Sequence, residues 1–449
     1  MTNLDFTNAY MKYREDIIHD AMELISINSV CVENEIVNNK QYRFGFGNYQ
    51  ALHYMLDKAN QMGFKTKNIE DVCGHIEYGE GKEIFAVLCH VDVVPAIGDW
   101  TNPPFSPVIL DGKIYGRGSS DDKGPAVASL YALKCLKDLG IKLNKRVRLI
   151  LGTDEESGSR GLHRYLELEE MPDLGISPDA DFPLIYGEKG MITLNLESHG
   201  DMFIKAKGGV RYNVVAPDLE FEILDKDLYK EIKNNIKNFK EIKEENGKFY
   251  VHGKSAHAME PDNGINAIKL FAKCLNGYVT NPLVRFINDK LINTRLKDMN
   301  LDLHTEEMGD LTMNMGILEI SDKSILGINI RYPKGLDYDK FIEKFSSVAK
   351  KYGLNVNVLS HSPVHYIDPN SEFINKLHNS YIKYTNDTTT KLKTIGGGTY
   401  ARDLKYAVAF GAAFPGDPEV AHEVDEYIEI DKLMKAGVII ADAIYSIGK

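Results

Sequence analysis

The sequence predicts an α/β fold in which helices sandwich a mostly parallel sheet, with an α+β domain inserted into the chain. Two observations support this prediction. Between Ile84 and Phe182, apolar runs of strand length alternate with amphipathic helical patterns, which is the order of a parallel sheet. From Met191 to Glu197, apolar and polar residues alternate instead, as in a strand with one exposed face, and the following segment is more polar. The predicted segments are residues 1–187, an inserted domain at 188–370, and a returning segment at 371–449.

The first segment holds the elements of the predicted parallel sheet. Tyr10–Ile25 shows helical spacing of apolar residues, and a helix at Pro125–Leu139 begins with proline and ends before Gly140, as helices often do. The other predicted elements are a helix at Asn48–Met62, two short strands up to Ile76, strands at Ile84–Leu88, Arg146–Gly152 and Leu174–Phe182, and a helix at Gly161–Glu169. Ligands of such sheets bind beyond the carboxyl ends of the strands, so functional residues are expected there.

The inserted segment shows the order strand, helix, strand twice. The predicted elements are strands at 219–224 and 248–253 around a helix at 228–239, and strands at 325–330 and 354–359 around a helix at 341–352. Such units also recur by chance in α+β domains, so duplication and coincidence both stay open. The returning segment predicts a helix at Ser371–Tyr384, a turn-rich stretch at Thr394–Asp403, a strand at Ala407–Phe414 and a closing helix at Asp431–Ile447.

Composition limits the classes of function. The chain has 449 residues, of which 43% are hydrophobic and 26% charged, as in globular proteins of more than one domain. The net charge of −12 disfavours nucleic-acid binding. No run of about 18 apolar residues indicates a membrane span, and the amino terminus lacks the apolar core of a signal peptide. Five scattered cysteines without a C-x-x-C pair suit reduced thiols, so a cytoplasmic location is expected.

Histidines and carboxylates lie after the predicted strands. The candidate residues are His90, Asp92, Asp121, Glu155, Glu156, Asp179 and His422. Taken singly, a histidine at a strand end is usually structural, and paired glutamates are usually a solvated charge run. Adjacent carboxylates beside other acids are costly unless a cation compensates them, and a mixture of imidazole and carboxylate suits zinc or manganese. Together the residues predict a site for two divalent ions.

Five motifs, in their order along the chain, resemble those of a known enzyme family. The motifs are HVD at 90–92, GRGSSDDKG at 116–124, GTDEESG at 152–158, SPDAD at 177–181 and AHE at 421–423. They resemble the co-catalytic di-metal peptidase/aminoacylase family. The resemblance covers nearly the whole chain and is greatest to the bacterial dipeptidase V (Xaa-His dipeptidase) group, which also shares S-A-H-A, I-R-Y-P and G-G-G-T-Y-A-R. It implies a fold of the di-zinc exopeptidase type, with the inserted α+β domain as a lid.

The resemblance also implies a role for each candidate residue. The implied metal ligands are His90, Asp121, Glu156, Asp179 and His422, with Asp121 shared by two divalent ions, zinc first and manganese as the alternative. Asp92 would orient the His90 imidazole, and Glu155 would be the general base. The family often has A-H-x-x-N-E at the last ligand, whereas this chain has Asp425 in place of Asn. This difference is expected to change the support of the ligand and not the ligand.

Four residues are expected to bind substrate. Asn213, His257 and Arg331 match lid residues of the dipeptidase group. His257 alone would be interpreted as a surface histidine in a turn. The run that contains Gly397 lacks the Lys-Ser/Thr that follows a phosphate-binding loop, so it is expected to let backbone approach the substrate.

The implied activity is hydrolysis of dipeptides with a free amino terminus, through a water that bridges two divalent metals. In this family an Asp at position 179, rather than Glu, is typical of enzymes that act on free amino termini. The alternatives are an N-acyl-amino-acid deacylase, a general aminopeptidase, and a catalytically silent homologue that binds peptide or metal. The long lid predicts a working monomer whose partner is a small peptide, without nucleic acid or membrane.

Overall fold

The structure is a computed structural model that describes residues 4–449. These residues form two compact units. The first comprises the described residues up to Tyr186, with Ile367–Lys393 and Gly398–Lys449. The second comprises Gly187–Tyr366 and Thr394–Gly397.

The described residues contain helices and strands in the following order. The α-helices are α1 Thr7–Tyr10, α2 Arg14–Ser26, α3 Phe46–Gln61, α4 Lys123–Asp138, α5 Arg160–Leu168, α6 Lys226–Asn235, α7 Ala267–Cys274, α8 Pro282–Phe286, α9 Tyr338–Lys350, α10 Glu372–Thr385 and α11 Ile430–Gly448. The strands up to the second unit are β1 Glu35–Val37, β2 Lys40–Tyr42, β3 Lys65–Ile69, β4 Cys73–Tyr78, β5 Ile84–His90, β6 Val108–Leu110, β7 Lys113–Tyr115, β8 Arg146–Gly152, β9 Leu174–Ser177, β10 Ala180–Asp181 and β11 Ile185–Glu188. The later strands are β12 Gly190–His199, β13 Ile204–Gly208, β14 Asp218–Ile223, β15 Ile242–Glu245, β16 Lys248–His252, β17 His304–Thr305, β18 Gly309–Asp310, β19 Thr312–Ile320, β20 Lys323–Tyr332, β21 Asn355–Ser362, β22 His365–Tyr366, β23 Lys393–Ile395, β24 Ala407–Ala409, β25 Ala412–Ala413 and β26 Tyr427–Glu429.

The first unit is built on a sheet that contains the strand order β11-β24-β9-β5-β8-β4-β3, in which β11 pairs antiparallel with β24 through Ile185. The strands from β24 to β8 run parallel, and β4 and β3 extend the sheet antiparallel. Cys89 of β5 contacts Ser129 of α4 on one face of the sheet. Leu88, its neighbour in sequence, packs on the other face with Leu162 and Tyr165 of α5. Helices therefore cover both faces of a sheet whose four central strands are parallel, and the predicted sandwiched α/β fold is confirmed.

Three predicted elements of this unit are interrupted. The predicted strand Leu174–Phe182 ends at Ser177, because Pro178 has no N–H with which to continue the ladder. The predicted strand Ala407–Phe414 is divided into β24 and β25 by Gly411, whose φ of +80° places it outside strand geometry. The predicted first helix is divided into α1 and α2 by a 3₁₀ turn at Met11–Tyr13.

The second unit is built on one eight-stranded sheet with the order β15-β16-β14-β13-β19-β20-β12-β21, in which neighbouring strands are antiparallel. Buried and half-buried residues alternate along most of β12, as the sequence pattern predicts for a strand with one covered face. Buried residues of α6 to α9 join those of the strands in one apolar core. This confirms an inserted α+β domain.

The two strand-helix-strand segments of the second unit differ in strand pairing. β14 pairs directly with β16. β20 and β21 instead lie on either side of β12 and pair with it. The order of elements is thus repeated and the pairing is not, and a duplication stays a prediction. Among the described residues, no helix has both the length and the apolar character needed to cross a bilayer.

Candidate active site

The parallel strands of the first unit bring the predicted site residues together. His90 is the last residue of β5, Glu155 and Glu156 follow β8, and Asp179 follows β9. β5 lies between β8 and β9, so the carboxyl ends of these three strands are adjacent. Asp121 lies two residues before α4, and His422 lies in the turn before β26.

The nearest contacts among these side chains form two groups that share Asp121. In the first group, His90 Nε2 lies 3.0 Å from Asp121 Oδ1 and 3.7 Å from Asp179 Oδ2. In the second, His422 Nε2 lies 3.0 Å from Asp121 Oδ2 and 2.8 Å from Glu156 Oε1. Ligand atoms at about 2.1 Å from a tetrahedral zinc ion are roughly 3.4 Å from one another. Each group therefore has the donor types and the spacing that suit one divalent ion.

Crowded carboxylates change the acidity of the site. Burial, together with the charge of Asp121, raises the pKa of Glu156 to about 7 and that of Asp179 to about 6. Burial also tends to raise the pKa of Asp121, but hydrogen bonds with His422 and His90 hold it well below its usual range. Hydrogen bonds to Asp121 and Glu156 raise the pKa of His422 to about 11. Such an excess of negative charge is relieved by bound cations.

The carboxylate of Asp122 points away from both histidines. Its Oδ2 accepts a hydrogen bond of 3.1 Å from the backbone N–H of His90, and the side chain is fully buried. Asp122 thus fixes the end of β5, whereas Asp121 presents one oxygen to each imidazole. This geometry favours Asp121 over Asp122 as the shared ligand.

Asp92 joins His90 to the turn that carries the two glutamates. The carboxylate of Asp92 accepts hydrogen bonds from the backbone N–H groups of Glu155 (3.1 Å) and Glu156 (3.0 Å). Its main-chain oxygen lies 3.0 Å from His90 Nδ1, closer than its carboxylate at 3.4 Å. The imidazole is therefore oriented mainly by the backbone of Asp92, and the carboxylate mainly positions the glutamates. The family resemblance implies that Asp92 orients the His90 imidazole. In the structure the main-chain oxygen of Asp92 is the nearer contact of that ring, and the carboxylate is the more distant one.

Hydrogen bonds of the neighbouring residues Thr153 and Asp154 also hold the turn that carries Glu155. Arg160 donates two hydrogen bonds of 2.7 Å to the buried carboxylate of Asp154, and Thr153 Oγ1 donates to the carbonyl oxygen of Val72. Burial raises the pKa of Glu155 well above its ordinary value, with His90 opposing and nearby carboxylates adding to this shift. A carboxylate with a raised pKa beside a candidate metal site suits a general base.

A buried network around Glu426 links the loop of Asp121 to the turn of His422. The Glu426 carboxylate accepts hydrogen bonds from Arg117 Nη1 (2.7 Å), from Ser120 Oγ (3.0 Å), and from the backbone N–H groups of Gly118, Ser120 and Asp121. Arg117 Nη2 donates to the carbonyl oxygen of His422 at 3.2 Å. Two candidate ligands that lie far apart in sequence are thus held by one carboxylate and one guanidinium.

The predicted substrate-binding residues lie in the second unit, where three segments converge. The backbone N–H of Ala258 donates to the carbonyl oxygen of Asn213 at 2.9 Å, which places Asn213 beside the His257 turn. Arg331 is buried, and its guanidinium donates to Asn329 Oδ1 (2.7 Å) and to the carbonyl oxygen of Gly396 (3.0 Å). A Cβ atom at Gly396 would lie 2.6 Å from Met259 Cβ, so this glycine permits close packing of the His257 turn. At Gly397 a Cβ atom would meet only Ile395, at 3.7 Å.

Sequence reasoning missed several residues that support the site. Arg117 and Glu426 occur within the recognised motifs but are 309 positions apart, and no local pattern pairs them. The ring of Tyr400 lies edge-on to that of His90, with centroids 6.2 Å apart, and its hydroxyl occupies the space that a side chain at Gly152 would need. Two signals were available: Tyr400 lies in the shared motif G-G-G-T-Y-A-R, and a glycine in a strand, here the last residue of β8, often marks a close approach.

Comparison with known proteins identifies the family. The model of peptidase family M20/M25/M40 matches residues 86–446. The chain belongs to this family. A protein of Staphylococcus aureus (strain bovine RF122), provisionally named a dipeptidase, is 37% identical over 462 residues that cover 97% of this chain and 98% of that protein. As a peptidase of this family, the chain is a hydrolase.

Solved structures show the same fold. Human carnosine dipeptidase 1 superposes with a TM-score of 0.63 and 15% identity, over 99% of this chain and 98% of that one. The dipeptidase Dug1p from Saccharomyces cerevisiae superposes with a TM-score of 0.61 and 13% identity, over 98% of this chain and 97% of that one. The family resemblance and the fold class predicted from the sequence are confirmed.

Proposed function

We propose that this M20 peptidase hydrolyses dipeptides that carry a free amino terminus, with two divalent ions as cofactors. The observation that carries the proposal is the pair of imidazole-carboxylate groups that share Asp121. Glu155 lies within a ligand's distance of His90 and Asp179. Their donor set suits zinc first and manganese as the alternative. The relative named a dipeptidase supports the choice of substrate.

The roles of the residues follow from their chemistry. His90, Asp121, Glu156, Asp179 and His422 would hold the ions, which when bound supply positive charge to polarise the scissile carbonyl and to acidify water. Glu155 would take the proton of the attacking water and later deliver it to the leaving amine. Asp92 would keep Glu155 in place through the backbone N–H of that residue.

The second unit would provide substrate contacts. His257 Nδ1 accepts a hydrogen bond from the backbone N–H of Met259, which leaves Nε2 as the donor of a neutral ring. We propose that this N–H donates to the substrate, assisted by Asn213 and by the backbone at Gly397. Arg331 would bind the terminal carboxylate, for which a planar guanidinium is better suited than an ammonium group.

The dipeptide preference follows from binding both ends of a short substrate. A carboxylate held by Arg331 and an amine attracted by the acidic site would fix the position of the single peptide bond. The experiment compares kcat/KM for one dipeptide, its carboxyl amide, and the tripeptide extended at the carboxyl end. We expect the amide and the tripeptide to lose about tenfold or more, because each loses the paired carboxylate contact. Equal values would instead identify a general aminopeptidase.

Metal dependence and the other candidate functions are tested in the same assay. We expect release of free amino acids from a dipeptide mixture to stop after chelation and to return with zinc or manganese. Cleavage of N-acyl amino acids in preference to dipeptides would identify a deacylase. Metal binding without any turnover would identify a silent homologue.

We further propose that the enzyme works on small peptides in the cytoplasm. All five cysteines are unpaired in the structure, which suits a reducing compartment.

A further inference from the structure

A cavity of about 200 Å³ adjoins the candidate metal ligands. Asp121 and Asp179 form part of its wall, and every residue that lines it belongs to the first unit. Typical sites for drug-sized ligands are larger, at about 300–1,000 Å³. The cavity thus has the size for one amino-acid side chain that enters from the site of peptide cleavage.

Small side chains keep this cavity open. β10 and β25 pair in parallel along one wall, with Ala180 opposite Ala412 and Asp181 opposite Ala413. Three of these four residues are alanines, whose methyl groups leave room between the strand pair and the segment from Asp417 to Ala421 that leads to His422. Ala413 lines the cavity and is itself exposed.

The rest of the cavity lining is acidic. Besides Asp121 and Asp179, the lining contains Asp181, Asp417, Glu419 and Glu429, and a single cation, Lys432. Lys432 Nζ lies 2.5 Å from Asp417 and 3.1 Å from Glu429, and Lys393 lies 2.9 Å from Asp181. Four carboxylates against two lysines leave the cavity negative. The cavity would repel the carboxyl-terminal residue of a dipeptide, which carries the terminal carboxylate. It would not repel the amino-terminal residue, which carries the free amine.

We propose that this cavity binds the side chain of the amino-terminal residue of the substrate and favours a cationic side chain over an anionic one. This proposal rests on the dipeptidase function proposed above. An aliphatic stem would lie along the alanines, and its cationic end would reach the carboxylates of the lining. The cavity would therefore set specificity at the first residue of the dipeptide.

The test uses the metal-loaded wild-type enzyme and two substrate series, Xaa-Ala and Ala-Xaa, with lysine, norleucine, glutamate and glycine as Xaa. We expect kcat/KM for Lys-Ala to exceed that for Glu-Ala by roughly tenfold at low salt, with norleucine between them, and the ratio to shrink as salt screens the charges. The Ala-Xaa series should show a smaller spread. Equal rates for Lys-Ala and Glu-Ala, or a preference that follows the second residue, would overturn the proposal while leaving the dipeptidase function intact. Failure to cleave any dipeptide would overturn both.

Two variants test the wall directly. Ala413→Phe fills the cavity from an exposed position, so kcat/KM for Lys-Ala should fall about tenfold relative to that for Gly-Ala, whereas the matched Ala413→Ser should keep the wild-type ratio. Asp181→Asn removes a carboxylate and deprives Lys393 of this partner, so the ratio of Lys-Ala to Glu-Ala should fall several-fold. Unchanged ratios in both variants, each folded by circular dichroism, would refute a cavity role. If Ala413→Phe does not fold, the wild-type series and Asp181→Asn decide.

Discussion

Asp121 and Asp122 are identical neighbours in sequence that face different surroundings. Asp121 presents its two oxygens to His90 and His422, and Asp122 turns to the backbone of His90. The same contrast applies to Glu155 and Glu156, because only Glu156 forms a close contact with His422. At this scale the position of a carboxylate, and not its type, decides between ligand, base and structural support.

The two glutamates provide a matched pair of variants. Glu155→Gln should lower kcat by about 10²–10⁴-fold and leave the metal content near two ions, because it removes a base and no ligand. Glu156→Gln should lose metal, since it removes a carboxylate from the His422 group. Turnover and metal content by atomic spectroscopy are measured on the same samples. A Glu155→Gln enzyme that keeps more than about a tenth of wild-type kcat would refute the role of general base.

At the scale of elements, the sequence was sufficient for features that depend on local periodicity. β5 is buried throughout, as its continuous apolar run predicts, and α4 and α11 differ from their predicted bounds by two residues or fewer. Interruptions within a predicted strand were harder to predict, because a strand continues only as far as a neighbouring strand pairs with it. Gly411 interrupts the strand predicted at 407–414 at a point where the ring of Phe182 packs against it.

Contacts between distant elements were not predictable from one sequence. The candidate ligands were found because their motifs are distinctive. The salt bridge of Arg117 with Glu426 was not, because neither local sequence pattern indicates that the two segments pair. Thr394–Gly397 likewise belongs to the second unit although the chain on either side belongs to the first. Such pairings depend on the tertiary fold.

The network of Glu426 predicts a loss of metal affinity. Glu426→Gln should weaken binding of zinc or manganese by about 10–100-fold, because it leaves Arg117 buried without its anion and loosens the loop of Asp121. The matched control is Asp425→Asn, in the same turn. Asp425 is partly exposed, has a φ of +57° that asparagine tolerates, and accepts hydrogen bonds from Thr101. The network that holds the His422 turn runs instead through Glu426 and Arg117, so any support that Asp425 gives the ligand is indirect. Calorimetric titration of the metal-free proteins measures both, and a wild-type Kd for Glu426→Gln would contradict the positioning role.

At the scale of the whole molecule, bound ions should stabilise the fold, and more so at higher pH. The pKa values of Asp179 and Glu156, about 6 and about 7 in the folded protein, lie above their ordinary values of 3.8 and 4.5. A raised folded pKa contributes stability at low pH that is lost as the pH rises from the unfolded to the folded value, so the metal-free protein should weaken between about pH 4 and 7. His422, with a pKa of about 11 in the folded protein, keeps its proton over this range, whereas an unfolded histidine loses its proton near pH 6.5, so this group adds to the loss of stability above that pH.

The measurement is the thermal midpoint with metal and after chelation, at pH 5.5 and at pH 8. Bound ions require ionised carboxylates, so the difference between the two midpoints should be larger at pH 8. A larger difference at pH 5.5 would show that the carboxylates of the site do not control stability.

The assembly state is predicted from the second unit. Asn213, His257, Arg331 and Gly397 all belong to this unit, and the expectation that one chain supplies them rests on the length of its inserted segment, Gly187–Tyr366. We therefore expect a monomer by light scattering, with specific activity that is constant down to nanomolar concentration. A dimer mass together with activity that disappears on dilution would contradict this expectation.

The discontinuity of the first unit has a consequence for synthesis in the cell. Asp121 and Glu156 emerge from the ribosome early, but His422 and Glu426 follow only after all of Gly187–Tyr366 has been translated. Asp121 precedes that insertion, whereas Glu426, which holds the loop of Asp121, follows it. An unfinished chain therefore lacks both the His422 imidazole and the Glu426 carboxylate. We therefore expect a nascent chain to be inactive until translation has passed His422, the last of the candidate ligands.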